Sequence, residues 1–490
     1  MAWLIIASVL ADFALPPGVL PAACSVGASS PELPAPISRA AWTPASLAML
    51  AAALRRGGEG LRTLPNAALL DAWAATVEAF LDPGTPERQA LAPPLATLCC
   101  LSPAALDAGL EAVLGGVRRG PAAALLERAA ALSKSHSGGE RREAMGARSE
   151  GARSGNIAGA ADGSARVRGT MAAGQRSDPD RSAPVLVVLS SNLPALAVQP
   201  LLPALALRRP VLLKSPSSEP LFAPAFLAAL TRREPRLAGA VAAATWPGGD
   251  AELEAPLLAA SGAVVAYGGA EALADLARRA AGKRFVGYGP KMSLAAVELG
   301  SGGTAPEALA AGLARDVALF DQRGCLSVAA VYVAGGLDDA ARLAGHLEAA
   351  LAALAARWPP GPAVAPALAA VQQLRLEAEL RGLPRASLPP AAGTVLLEPE
   401  PALCSSPGLR TVRVHPLPDL DRLPEILAPW RGRLQGAALA GPAAWRLAPR
   451  LAALGISRCA APGDLQSPDA AWHNGGIDPL AALALAESWG

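Results

Sequence analysis

From residue 184 onward, short apolar runs alternate with stretches whose apolar residues recur at helical spacing, and this alternation limits the folds the chain can adopt. PVLVVLS (184–190), PVLLKS (210–215), GAVVAYGG (262–269) and SLAAVEL (293–299) read as buried strands, because none shows the regular polar alternation of a half-exposed strand. Between them lie PALAVQPLLPALALRR (194–209), helical in spacing despite its prolines, and AEALADLARRA (270–280). A further helix, PEALAAGLARDVALF (306–320), leads through DQRGC (321–325) to the strand LSVAAVYVA (326–334). Residues 338–357 and 441–455 read as helices, and 410–414 as a strand. Strand and helix alternation of this kind predicts an α/β fold with a parallel, doubly wound sheet.

Ahead of this region, residues 67–128 carry helical spacing, and Ser102 followed by Pro103 is a helix start. Residues 133–183 are poor in Leu, Val and Ile and rich in Gly, Ser and Arg. Such a composition cannot bury a core, so a flexible low-complexity insertion is expected there. The first 60 residues carry no clear pattern.

At 490 residues the chain has room for two or three domains. A formal net charge of +2 supplies no field for nucleic acid or an anionic membrane surface, which leaves a small-molecule enzyme as the better fit. The six cysteines include no CxxC pair, which argues against a metal site and against a disulfide framework and points to a reducing, cytoplasmic setting. Residues 3–10 are apolar, but no basic segment precedes them and Asp12 closes the run, so export is the lesser reading even with LPAAC at 20–24. No apolar stretch is long and charge-free enough to predict a membrane span.

The residues that can carry chemistry lie at the ends of the expected strands. Cys325 sits at a helix-to-strand junction, although a loop cysteine is more often inert. A thiolate that attacks a carbonyl creates an oxyanion, which needs preorganised donors such as a backbone N–H and a side-chain amide. Asn192, directly after the strand at 184–190, is placed to supply the amide; from local sequence alone a turn residue before Pro194 is the safer reading. Lys214 ends the next strand, where dinucleotides bind in parallel sheets, and can reach ribose hydroxyls or a 2′-phosphate. Gly268 and Gly269 separate a strand from a helix and leave room for a phosphate or nicotinamide. GSGGTA (300–305) fits a dinucleotide fingerprint, but the acidic residue that should follow falls too far away, and a connection between domains is the preferred reading.

Taken in order, these segments resemble the aldehyde dehydrogenase superfamily and, within it, acyl-CoA reductases of the LuxC type. SNLPALAVQPLLPALALRRPVLLKSPSSEP (191–220) is similar to the superfamily segment that runs from an Asn-containing turn to a strand ending in Lys-Pro-Ser-Glu. WPGGDAELEAPLL (246–258), VVAYGGAEAL (264–273), RFVGYGPKMSLAAVE (284–298) and DQRGCLSVAAVYV (321–333) resemble the reductase family itself. The resemblance implies an aldehyde dehydrogenase-like fold: a helical N-terminal region (1–132), the insertion (133–183), a Rossmann-like nucleotide-binding domain (184–288), an α/β catalytic domain (289–440), and a C-terminal segment (441–490) returning to the nucleotide domain.

The resemblance also implies reduction of a fatty acyl-CoA, expected to be long-chain, to the aldehyde. Cys325 is the implied acyl acceptor, Asn192 the oxyanion donor and Lys214 the ribose contact. Where the superfamily pattern places Glu three residues beyond that Lys, this chain has Ser217, which favours NADPH; Glu219 nearby leaves NADH open. If GPK (289–291) matches the superfamily's Gly-Gly-Lys, its water-activating Glu is replaced by Gly287; a rival alignment gives that role to Glu298 and an acid-forming dehydrogenase. A non-catalytic nucleotide-binding relative is the other alternative. No clear counterpart of Glu-Ile-Phe-Gly-Pro occurs near CSSPGLRTVRV (404–414), and His473 reads as a structural loop residue. The resemblance further suggests a homo-oligomer, an acyl-CoA or acyl-protein thioester as donor, and an acyl-transferring protein as partner.

Overall fold

Continuous runs of Val, Leu and Ala make strands that can be covered on both faces, and the chain builds two parallel sheets from them. The computed structural model describes residues 10–26, 37–143, 182–300, 305–363, 365–383 and 392–484. The first sheet has five strands in the spatial order Val241–Thr245, Val211–Ser215, Val185–Val188, Ala263–Tyr267, Arg284–Tyr288, all parallel. Its order reverses at Val185–Val188, so the connections leave that strand toward opposite edges. The crevice at such a switch point is where parallel sheets bind ligands.

The second sheet has six parallel strands in the order Thr394–Leu397, Thr411–Leu417, Val328–Ala334, Met292–Val297, Leu434–Ala440, Arg458–Ala460. Helices Pro306–Ala318 and Leu337–Arg357 pack together on one face through Leu313, Val317, Leu343 and Leu347. The expected change of domain at residue 441 falls inside this sheet, because Arg458–Ala460 adds an edge strand. The chain returns to the first sheet only with Pro479–Leu483: Arg209 and Arg284 donate to the carbonyls of Leu483 and Ala482.

The N-terminal region is helical from Pro44 to Glu143, in five helices. Ser102 accepts the N–H of Ala105 and Pro103 opens the helix Pro103–Gly115, as the Ser-Pro pair predicts. Helix Asn66–Leu81 lays Trp73 and Phe80 against Phe222 and Phe226, with ring centroids 5.3–5.7 Å apart. The unpatterned first 60 residues contribute a small sheet, Leu10–Ala11, Ala23–Val26 and Ile37–Ala41, bridged through Ala14 to Ala243 on the edge of the first sheet. The helix Arg119–Glu143 extends into the expected insertion, of which residues 144–181 lie outside the described residues; so do residues 301–304 of GSGGTA. Among the described residues no single helix is long and apolar enough to cross a membrane.

Candidate active site

The carboxyl ends of the first sheet meet the amino ends of the second around a cavity of about 450 Å³. Ser190–Leu193 follow the switch-point strand, Gly268 and Gly269 follow its neighbour, Gly289–Lys291 cross between the sheets, and Gln322–Leu326 precede the strand Val328–Ala334. Four of the residues singled out in the sequence, Cys325, Asn192, Gly268 and Gly269, therefore line one cavity. Lys214 and Ser217 do not line it.

Cys325 is held by its backbone. Its carbonyl accepts from Ser293 Oγ at 2.8 Å, and its own N–H and that of Leu326 face its sulfur. Burial outweighs these donors and the nearby Lys291 charge, and pushes the thiol up to about 11. Asn192 is tied to the same loop: its Nδ2 donates to the carbonyl of Arg323 at 3.1 Å, while its Oδ1 accepts from Ser190 Oγ at 2.5 Å. One amide N–H is thus used to hold the cysteine loop, which leaves the second N–H of the same nitrogen as a further donor.

The loop before Cys325 is strained. Phe320, Asp321 and Gln322 have φ of 58°, 50° and 64°, three consecutive left-handed residues without a glycine. Side chains fix them there. Asp321 Oδ1 accepts from Nε and Nη2 of the fully buried Arg410 at 2.9 and 2.7 Å, and Oδ2 accepts from the N–H of Gly361. Gln322 donates to the carbonyls of Val328 and Thr411 and accepts from the N–H of Thr411. Segment 404–414, without a recognisable cofactor motif, thus anchors the cysteine loop through Arg410 and Thr411. At Gly324 an added Cβ would lie 2.9 Å from Gln466 Oε1 and 3.3 Å from Ser327 Oγ, so a larger residue beside the cysteine would displace the end of the Gln466 side chain.

Sequence reasoning missed several lining residues. Lys291, the last residue of GPK, lines the cavity with Cys325, and each feels the other's charge. Tyr267 and Tyr288 stack at 4.8 Å on the cavity wall, and Gln435, Gln466, Trp472 and Asn474 close another side. The usable signal was position: Tyr267, Tyr288 and Lys291 all sit where the first sheet's strands end. Among the described residues, no carboxylate and no imidazole lines this cavity.

Glu298, the rival base, is far from the sulfur. The six-residue strand Met292–Val297 begins beside Cys325 and ends at Glu298, which at about 3.3 Å per residue puts roughly 15–20 Å between them. Its Oε2 caps the helix Pro442–Arg446 by accepting the N–H of Ala443 at 3.0 Å. Gly287 lies in the strand Arg284–Tyr288, where an added Cβ would face Phe285 and Leu273, and it does not line the cavity. His473 lies 3.4 Å from Asp478, half-exposed and away from the cavity lining.

The region around Lys214 suits a dinucleotide. Lys214 is buried in the strand Val211–Ser215, its Nζ 5.3 Å from the centroid of the Trp246 ring, and it has no hydrogen-bond or ion-pair partner among the described residues. Burial pushes its pKa down. A buried ammonium without an acceptor is costly on its own and suits a site where a ligand's oxygens complete it. A Cβ at Gly268 or Gly269 would meet nothing within 4 Å, so both leave open space at the switch point. Ser217 is exposed in the turn after the strand. Glu219, expected to remain within reach of a ribose, turns inward: its Oε1 accepts the N–H groups of Leu221 and Phe222 at 2.9 and 2.8 Å, and burial pushes it up to about 7. It is committed to starting the helix Phe222–Arg233.

Two parallel sheets, a switch-point crevice and a cysteine presented from the second sheet define the aldehyde dehydrogenase fold. Solved structures agree: the chain is similar to an aldehyde dehydrogenase from Brucella melitensis biovar abortus 2308 at 14% identity and TM-score 0.64, covering 93% of this chain and 90% of that one. Lactaldehyde dehydrogenase from Escherichia coli gives 15% identity and TM-score 0.60 over 93% and 91% of the two chains. An NAD-dependent benzaldehyde dehydrogenase from Corynebacterium glutamicum gives 13% and 0.59 over 93% and 92%. A comparison with curated protein sequences returns no match. The family described as acyl-CoA reductase (LuxC) matches residues 180–486, and the chain belongs to that family. It is accordingly an oxidoreductase of the class that takes acyl-CoA to aldehyde with a nicotinamide cofactor.

Proposed function

We propose that this protein reduces a long-chain fatty acyl-CoA to the aldehyde with NADPH, through an acyl-enzyme on Cys325. The observation that carries the reading is the shared cavity of Cys325 and Asn192 at the switch point, with no carboxylate or imidazole lining it among the described residues. Cys325 Sγ attacks the thioester carbonyl, and the thiol of CoA departs. The second amide N–H of Asn192 and the backbone N–H of Cys325 hold the oxyanion. When bound, the cofactor supplies a hydride to the acyl carbon. The resulting thiohemiacetal on Cys325 collapses, frees the aldehyde and returns the thiol. With no carboxylate or imidazole among the described lining residues to activate water, attack of water on the acyl-enzyme is slow and reduction outruns hydrolysis.

Lys214, Gly268 and Gly269 would hold the cofactor, with 184–288 as the nucleotide-binding domain. The absence of a carboxylate at Ser217 and the inward commitment of Glu219 favour a 2′-phosphate over a free ribose hydroxyl. The pocket lined by Val117, Leu202 and Leu483 that adjoins through Tyr267, Tyr288 and Trp472 measures only about 40 Å³, so the acyl chain would lie in the main cavity of about 450 Å³.

The test is aldehyde formation from an acyl-CoA series with NADPH or NADH. NADPH-dependent aldehyde release that increases with chain length is expected, with Asn192→Ala reduced on the order of 100-fold. Acid formed from aldehyde and NADP+ without CoA, faster than aldehyde is formed from acyl-CoA, would overturn the reading.

A further inference from the structure

Making the acyl-enzyme requires a proton to move. The Cys325 sulfur–carbon bond forms, the carbon–sulfur bond of the donor breaks, and one proton passes from Cys325 to the departing sulfur, with no change of oxidation state. With no carboxylate or imidazole among the described lining residues, the titratable and charged groups that face this cavity are Cys325, Tyr267, Tyr288, Arg323 and Lys291. Arginine does not release its proton in proteins. The stacked tyrosines are pushed upward by burial, Tyr288 to about 12 and Tyr267 further, so they keep theirs.

We propose that Lys291 is the proton carrier of acyl transfer: its Nζ, as the neutral amine, takes the proton of the Cys325 thiol, becomes the ammonium, and delivers that proton to the sulfur that leaves, which restores the amine. This rests on the reading of Cys325 as acyl acceptor. The backbone fixes the pair. Lys291 immediately precedes the strand Met292–Val297, Ser293 pairs with Val328, and Ser293 Oγ bonds the Cys325 carbonyl at 2.8 Å. Lys291 has no hydrogen-bond or ion-pair partner among the described residues. An added Cβ at Gly475, where φ is 61°, would lie 3.3 Å from Nζ, so the glycine in WHNGG leaves the space that the Lys291 side-chain nitrogen occupies. Desolvation pushes Lys291 down from the usual lysine range, while the Cys325 charge opposes this. That brings it toward the range of an alkyl thiol such as CoA, the matching that proton transfer to that leaving group requires.

The test is single-turnover acylation of the full-length protein, followed by mass spectrometry without nicotinamide cofactor. Two donors are compared: an acyl-CoA, and the same acyl group on an aryl thiol, whose acidic sulfur leaves without a proton. Lys291→Met should acylate more slowly on the order of 100-fold with the CoA donor but by a smaller factor with the aryl thioester, which still needs the Cys325 proton removed but no proton on its leaving sulfur. Lys291→Arg, which keeps the charge but cannot pass a proton, should behave like Lys291→Met. Added ethylamine should restore part of the rate with acyl-CoA. Equal losses with both donors, or full activity in Lys291→Arg, would overturn the proposal and leave Lys291 a positioning residue. The wild type supplies a test that no folding defect can obscure: its rate should depend only weakly on the acidity of the leaving thiol across a thioester series, and a steep dependence overturns the proposal. A wild-type protein that does not acylate at Cys325 would instead refute the acyl-enzyme reading itself, whatever Lys291 does.

Discussion

Replacing Asp321 by Asn tests whether the cysteine loop is held in place by the buried pair beneath it. The fully buried Arg410 donates twice to Asp321 and once to the carbonyl of Trp358. The substitution leaves the guanidinium without a counter-charge and sets an amide donor against either Arg410 or the N–H of Gly361. Removing one partner of a buried ion pair costs about 3–5 kcal/mol. Three left-handed non-glycine residues also store roughly 1–2 kcal/mol each, so once the anchor is lost the loop relaxes downhill and Cys325 moves with it. A shift of about 1 Å at a reacting atom costs on the order of 100-fold in rate. Guanidinium unfolding followed by tryptophan fluorescence, which includes Trp358 next to the pair, should show the loss of stability. Quenched acylation assays should show the loss of rate in protein that remains folded. Stability within about 1 kcal/mol of wild type together with unchanged acylation would refute the argument that this pair positions the loop.

Other consequences can be checked separately. Because burial pushes the Cys325 thiol up to about 11, it is protonated at neutral pH, and its alkylation by iodoacetamide should rise about tenfold per unit from pH 7 to 9; a plateau below pH 8 would contradict this. Glu298→Gln should leave turnover within about twofold, since the carboxylate caps a helix at the far end of the sheet; a 100-fold loss would restore it as a catalytic base. Gly324→Ala should slow acylation by displacing the end of the Gln466 side chain, with circular dichroism unchanged; full activity would show that this side chain moves without disturbing Cys325. Glu219 binds its proton more tightly folded than unfolded, so its contribution to stability is fully present below about pH 4.5 and is lost as pH rises toward 7; pH-dependent unfolding should therefore be flatter over that window in Glu219→Gln, and an identical profile would contradict the assignment.

The strands that could be read from the sequence were those rich in Val and Leu, such as Val185–Val188 and Val328–Ala334. Val241–Thr245 and Leu434–Ala440 are not legible because their alanines are good helix formers in isolation and become strand residues only through their place in the sheet. The small N-terminal sheet has too little apolar pattern to announce itself and depends on bridging to Ala243. Within the site, Cys325 and Asn192 could be found because each closes a recognisable segment. Lys291, Gln435 and Asn474 come from three separate parts of the chain and meet only when the two sheets face each other. Glu219 shows the opposite failure: its spacing from Lys214 suggested a ribose contact, but a helix N-terminus two residues away supplied nearer donors.

The central claim is that Cys325 carries the acyl group. Mixing the folded protein with a long-chain acyl-CoA in the absence of nicotinamide cofactor, then digesting it and mapping by mass spectrometry, tests this directly. One acyl adduct on the peptide bearing Cys325 is predicted, lost in Cys325→Ala and discharged as aldehyde when NADPH is added. An unmodified Cys325, or an adduct that persists in Cys325→Ala, would contradict the account.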